Sequence, residues 1–431
     1  MKYDYSQLLI DVQKKSNITV ADIKDVTYLK EEIETVVSTK ISFNTLRRLF
    51  GFLPKTKPAA QTLNILANYL GFNSFSNYKN NKTNYEDWYF QQYLIQLRKQ
   101  KKLSSEAIET INLGIENENN LIYLGYFLAH HIEKNHLELT LSVFKAIRFQ
   151  TINRTQLHKF GIILYNSLAL IPEKKALQFY GQLVPLADFR ENVPLLNIDY
   201  THLHGRYFQI IQLIAQNKAN DSDVFFTALI GQYKAFYIDG KDIEQIMPVT
   251  KPKDFDALFV TLKGRYFGMR FLLEPSHLVA IKNEIRNACK TVHISFFLIE
   301  IIPALIFKEA YDFLEELLDS YYEEVFEGDV WSSETTNAIY LIGLSTINWQ
   351  RNNFVVAKRN LELIDLSRVE IGYVDYVALF YHLIALQISQ SENNKKANAS
   401  ALKTLQQLIK KTKFIRFEEK AARFVLRWIV Y

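Results

Sequence analysis

The chain has 431 residues, 48% of them hydrophobic and 14% aromatic, enough apolar mass for a large core and incompatible with global disorder. Its length exceeds one ordinary domain, so two units or an extended repeat are expected. A formal net charge of only +5 excludes a general polycation, and 9 prolines with 14 glycines favour long helices over a turn-rich β architecture.

Residues 3–16 read as a short amphipathic helix carrying Leu8, Leu9 and Val12. A second helical run follows over 19–37, with Asp22, Asp25, Glu31, Glu32 and Glu34 placed away from the basic turn that comes next. The stretch 38–72 then gives two short helices. Ser42 is expected to cap the first, its hydroxyl accepting a free first-turn amide. Leu46 and Leu49 share that helix's inward face, Ile41 staples its entry, and Gly51 closes it. Pro58 is expected to open the next helix, where Thr62, Leu63, Leu66, Ala67 and Leu70 form an apolar stripe ending at Gly71. From Lys40 to Tyr85 stand Lys40, Arg47, Arg48, Lys55, Lys57, Lys79 and Lys82 and no acidic residue, a one-sided charge that suits a phosphate backbone.

At these residues the chain resembles the Cro/cI-type helix-turn-helix family. LKEEIETVVSTKIS stands as first helix and turn, ISFNTLRRLFGF as recognition helix, and KPAAQTLNILANYLGF as bracing helix. Two positions depart from the family pattern: Phe43 stands where a polar, base-reading side chain is usual, and the glycine arrives early. The resemblance implies a double-stranded DNA partner. Ser42, Asn44, Thr45, Arg47, Arg48, Lys55 and Lys57 are the residues it brings to DNA.

Phe72, Phe75 and Tyr78 form an aromatic cluster that seals this small domain, residues 1–80, and KNNKTN at 79–84 reads as a linker. Residues 85–431 alternate helical patterns with short polar breaks, over 85–101, 121–132, 137–149, 155–170, 173–184, 195–215, 224–236, 255–273 and 276–289. No alternation bounded by turn pairs suggests a sheet. The expected fold is therefore all-α, a small helix-turn-helix-like domain followed by an α-solenoid of helical hairpins. The clearest hairpin is 340–365, with a turn near Arg351–Asn353. Leu344, Ser345, Asn348, Ala357, Leu361 and Ile364 in it resemble the tetratricopeptide (TPR) spacing. Two G-R-Y-F blocks, at Gly205 and Gly264, mark either a longer unit or chance.

The apolar window 292–307 is too short to span a bilayer and reads as a buried helix pair broken at Pro303. With one cysteine, Cys289, and no signal-peptide core in MKYDYSQLLID, a soluble cytoplasmic protein without membrane association is expected. Residues 309–334 hold ten acidic residues and no basic one, while 395–431 hold ten basic and two acidic. Each block is either a solvated face or a contact: for the first, with a cationic ligand or the basic head, and for the second, with a dimer partner through Phe414, Phe417, Phe424 and Trp428.

Catalytic and metal chemistry find no support. There is no phosphate-cradling glycine loop, no GxSxG elbow and no HExxH, the nine histidines form no Cys/His set, and no cofactor is implied. Arg206 and Arg265 each follow a glycine within apolar sequence, so each guanidinium must be ion-paired or must line a groove. With Asn348 they are the candidates for a groove that clamps a carboxylate or peptide backbone. The sequence thus supports a DNA-binding transcriptional regulator whose solenoid takes a peptide or protein ligand, acting as a homodimer. The alternative is a non-enzymatic helical-repeat adaptor whose head docks protein.

Overall fold

A computed structural model describes residues 5–54, 56–78, 85–149, 152–217, 220–326 and 334–426. Every regular element among them is a helix, so the chain is all-α over the described residues. No described helix is long and apolar enough to cross a membrane. The chain divides into two compact units, Met1–Gln96 and Leu97–Tyr431.

The first unit holds α1 (Ser6–Ser16), α2 (Ile23–Val37), α3 (Phe43–Leu49), α4 (Ala60–Tyr69) and α5 (Tyr85–Leu97, to Gln96 within this unit). Asp22 and Asp25 close a capping box at the start of α2, each carboxylate accepting the other's backbone N–H. Ser42 is the N-cap residue of α3, but its hydroxyl makes no capping bond. The Ser42 carbonyl instead accepts from the Thr45 and Leu46 amides. α3 ends in a Schellman turn at Gly51 (φ 84°), with Phe52 N–H donating to the Arg47 carbonyl and Gly51 N–H to that of Arg48. α4 starts later than its sequence suggests. Its cap is Ala59, in extended conformation, which leaves Pro58 outside the helix. Leu8, Val12, Val26, Leu29, Ile33, Leu46, Leu66 and Tyr69 are fully buried in one core, and Phe72 meets Tyr78 edge to face at 5.3 Å. The linker 79–84 lies outside the described residues.

The second unit runs through α6 (Ser105–Gly114), α7 (Leu121–Glu133), α8 (Leu137–Ala146), α9 (Arg154–Leu170), α10 (Glu173–Leu183), α11 (Ala187–Asn192), α12 (Arg206–Gln216) and α13 (Asp221–Tyr237). It continues with α14 (Val260–Leu273), α15 (Leu278–Cys289), α16 (Ile294–Phe307), α17 (Tyr311–Ser320), α18 (Tyr322–Phe326), α19 (Glu334–Gln350) and α20 (Phe354–Glu362). The last three are α21 (Val374–Ser391), α22 (Lys395–Thr412) and α23 (Arg416–Leu426). Successive long helices pack face to face: α7 on α9, α14 on α16, α16 on α19, and α19 on α21. Each of these also packs on the helix that follows it, and α19 and α20 turn at Arg351–Asn353.

Three expectations change here. Pro303 does not break its helix, because α16 is continuous and all 14 of its residues are buried. A proline inside a helix costs about 3 kcal/mol, less than the burial of several large apolar side chains at about 1.5–3 kcal/mol each. Residues 195–205 are not helical; α12 begins only at Arg206. Phe414, Phe417 and Phe424 of the C-terminal segment pack inside the chain and are not free for a seam. Phe414 and Phe417 are fully buried and Phe424 nearly so, with Phe414 against Tyr237 at 5.3 Å and Phe417 against Phe380 at 5.0 Å. Trp428 lies outside the described residues.

The two G-R-Y-F blocks differ in place, Gly205 capping α12 while Gly264 sits inside α14. Gly264 and Gly268, one helical turn apart, let α14 lie directly on the backbone of α16. A Cβ at Gly264 would stand 2.6 Å from the Phe297 carbonyl oxygen, and one at Gly268 would stand 2.7 Å from that of Glu300. Neither oxygen can rotate away. Gly264→Ala is therefore expected to lower stability by about 1–3 kcal/mol, although alanine is the better helix former. Gly231→Ala in α13, whose Cβ would meet nothing within 4 Å, is expected to raise it by up to about 1 kcal/mol. Urea denaturation followed by circular dichroism separates the two, and a Gly264→Ala midpoint at or above wild type would contradict the close crossing.

Candidate nucleic-acid interface

The basic residues considered for DNA begin at the turn between α2 and α3. Glu34, on α2, fixes that turn: Oε1 accepts the Ile41 amide at 2.8 Å and Oε2 pairs with Lys30 at 2.8 Å. Four other carboxylates of this unit are also engaged away from α3. Glu32 accepts the Tyr69 hydroxyl, Asp11 accepts that of Tyr78, and Asp22 and Asp25 cap α2. Glu32 and Asp11 thus tie separate parts of the unit together, and α3 carries no acidic residue.

Of the residues proposed for DNA, Ser42, Asn44 and Lys57 are exposed, and Thr45, Arg47 and Arg48 are partly buried. Lys55 lies outside the described residues. Lys40, Arg47, Arg48 and Lys57 have no ion-pair partner among the described residues. Arg47 is the most constrained of them. Its guanidinium lies 5.7 Å from the centre of the Phe43 ring, Nη1 reaches Asn44 Oδ1 at 3.4 Å, and Nε is buried without a hydrogen-bond partner. Phe43, which departs from the family pattern, therefore packs partly into the core and forms a platform under Arg47. The platform has the i, i+4 spacing of neighbours on one helix, whereas the Glu34–Ile41 bond has no spacing that sequence inspection could detect.

In the second unit the three groove candidates do not converge on an open surface. Arg265 is 1% exposed, and its guanidinium does hold a carboxylate and a peptide backbone, both supplied by this chain. Nε donates to Glu300 at 2.9 Å, Nη1 to the Leu195 carbonyl at 3.4 Å, and Nη2 to the Leu196 carbonyl at 3.2 Å and the Tyr373 hydroxyl at 3.0 Å. Glu300 also accepts the hydroxyls of Tyr200 at 2.7 Å and Tyr373 at 2.6 Å. Burial, with the Glu300 charge beside them, pushes both phenols well above the ordinary tyrosine range, so they remain donors. Arg206 donates to the Ala169 carbonyl at 3.0 Å and reaches Asp199 at 3.4 Å. Asn348 bonds within its own hairpin, to the Leu344 carbonyl at 2.9 Å and Asn353 at 3.3 Å.

The acidic block is also partly compensated inside its own unit. Glu309 pairs with Lys420, Glu315 with Arg351, Glu316 with Arg286 and Glu334 with Arg368. No group of three His, Cys, Asp or Glu side chains among the described residues could hold a metal ion.

Removing one member of the Arg265–Glu300 pair strands the other in the interior. Arg265→Met is expected to cost about 3–5 kcal/mol, and Glu300→Gln a similar amount, with the double variant losing less than the sum. Chemical denaturation of the three variants tests this, and a loss below about 1 kcal/mol for Arg265→Met would show that the pair does not hold the unit together.

No family model matches the chain, and neither the curated proteins nor the solved structures contain a significant match to it.

Proposed function

We propose that the chain is a DNA-binding transcriptional regulator, its first unit a helix-turn-helix-like reader and its second an α-solenoid of TPR-like hairpins that senses or docks a ligand. The observation that carries this reading is the separation of charge in the first unit. Asp11, Asp22, Asp25, Glu32 and Glu34 cap and brace α1, α2 and α4, while Lys40, Arg47, Arg48 and Lys57 form no ion pair among the described residues. Cations left unpaired beside exposed Ser42 and Asn44 suit an anionic backbone, which these hydroxyl and amide groups also contact well. α3 contributes Asn44, Thr45, Arg47 and Arg48, with Arg47 and Arg48 about 100° apart round the helix, so one faces base edges while the other reaches phosphate. The solenoid reading is supported by the face-to-face succession α14, α16, α19 and α21, each backed by the helix that follows it.

One such head reads a half-site, so the reading implies two copies on a palindromic operator about one duplex turn, or about 34 Å, between half-sites. The buried Phe414 and Phe417 do not supply the contact between copies.

Replacing Arg47 and Arg48 by Ala is expected to weaken binding to a duplex selected from a random library. The slope of log affinity against log salt should fall by about one for each phosphate that the variant no longer neutralises. Gel-shift titration of wild type and double variant at several salt concentrations reads both quantities. Equal affinity of the two proteins for every duplex would leave the adaptor reading in its place.

A further inference from the structure

We propose that the cleft beside the C-terminal end of α16 binds a small organic monoanion with an apolar tail, and that Lys308 receives its charge. The cleft has a volume of about 440 Å³ and is walled by Phe236, Ile243, Phe307, Lys308, Arg416 and Lys420, with Arg423 and four carboxylates completing its lining. That volume lies within the range of small-molecule sites.

Three of its four cations are already matched. Arg416 pairs with Glu419 at 3.0 Å, Lys420 with Glu309 at 2.6 Å, and Arg423 with Glu309 at 3.5 Å. Arg416 also donates to the carbonyls of Phe236, Gly240 and Lys241, which leaves little of its guanidinium for a ligand. Lys308 has no carboxylate partner among the described residues, and it is partly buried. Burial, then the charges of Lys420 and Arg416, hold its ammonium below the usual lysine range. A desolvated ammonium facing like charges, in a cleft of ligand size, is costly until an anion arrives.

The surroundings also limit what that anion is. Asp242, Glu244, Glu309 and Glu419 line the same cleft, so a dianion meets repulsion that a single negative charge at Lys308 avoids. A second cleft, of about 370 Å³, shares Ile243 and Glu244 with the first, so the two adjoin. Its wall includes Ile246, Pro248, Val249, Leu273 and Pro275, which suits an alkyl or aryl tail. One carboxylate head at Lys308 and an apolar tail past Ile243 fit both halves.

Isothermal titration of the full-length protein with sodium octanoate, sodium butanoate and inorganic phosphate tests the assignment, and does so whether or not the first unit binds DNA. Octanoate is expected to bind at least about ten-fold more tightly than butanoate, since each added methylene is buried. Lys308→Met, which keeps the aliphatic stem, should weaken octanoate at least about ten-fold, and Lys308→Arg should largely retain it. A thermal melt shows that each variant is folded, and Ile246→Asp provides a second variant that should weaken octanoate while leaving butanoate unchanged. The proposal is overturned if octanoate gives no heat at millimolar concentration, or if folded Lys308→Met binds it as wild type does. Phosphate binding tighter than either carboxylate, or equal affinity for the two chain lengths, would overturn it as well.

Discussion

The second unit depends on how it treats ten consecutive buried residues that form no long helix. Residues 192–201 are all buried, and only Asn192 belongs to a helix, as the last residue of α11. Backbone groups in such a stretch have no ladder to join, and each one left unsatisfied costs about 1–3 kcal/mol. Nearby backbone carbonyls take several of its amides, and side chains from the segment and from other helices supply partners for its carbonyls. Arg265 takes the Leu195 and Leu196 carbonyls, Tyr207 donates to that of Pro194 at 2.9 Å, and Asn197 turns its amide onto the Val193 carbonyl at 3.2 Å. Thr201 bonds to the carbonyls of Gly372 and Ile371. Arg265 is buried because the segment needs donors, and Glu300 is buried because Arg265 needs a counter-charge.

That dependence accounts for several features at once. Tyr200 stacks on Tyr376 at 4.1 Å and hydrogen-bonds Glu300, so the segment is fixed to α16 and α21 by ring and hydroxyl together. Gly372 has no room for a side chain, since a Cβ there would stand 2.6 Å from the Ile198 carbonyl oxygen. Gly264 and Gly268 bring α14 onto α16 on the helix that carries Arg265, which places its Nε 2.9 Å from Glu300. An ion pair of this kind gives little net stability against an apolar replacement. Its role is to allow a buried polar backbone to exist in an otherwise helical interior.

Sequence periodicity reveals the helical class and most helix positions because it reports burial of one face, and burial dominates the energetics. It places α7, α9, α10, α13 and α15 to within a few residues. It fails where a long-range partner overrides local preference. The apolar run around Leu195, Leu196 and Ile198 looks helical, yet those residues are buried with no helix of their own, Arg265 of α14 holding the Leu195 and Leu196 carbonyls. Pro303 reads as a break, yet full burial of α16 outweighs it. The aromatic C-terminus looks like an exposed seam, because nothing local shows that Tyr237, more than 170 residues earlier, receives Phe414. The charge separation of the first unit is legible because it is a property of composition. The Glu34–Ile41 bond is not, because it depends on the path of the turn after α2.

Lys308 follows α16 as its C-cap, eight residues or about 12 Å from Glu300 along the helix. This bears on how an occupant of the cleft would act. A ligand shifts a conformational equilibrium only by as much as it binds one state better than another. α16 is a poor mover, being buried along its whole length and tied at Glu300 to Arg265, Tyr200 and Tyr373. The loop on the other side is different: residues 239–249 carry only a single 3₁₀ turn, and side chains hold them at a few carbonyls. Arg416 holds Gly240 and Lys241, and Gln232 holds Met247 at 2.7 Å. Ile243 and Glu244, in the middle of that loop, border both clefts. An anion at Lys308 draws on the same cation cluster from which Arg416 holds the loop, so the differential binding energy falls on the loop and on α23, with α16 as the fixed wall.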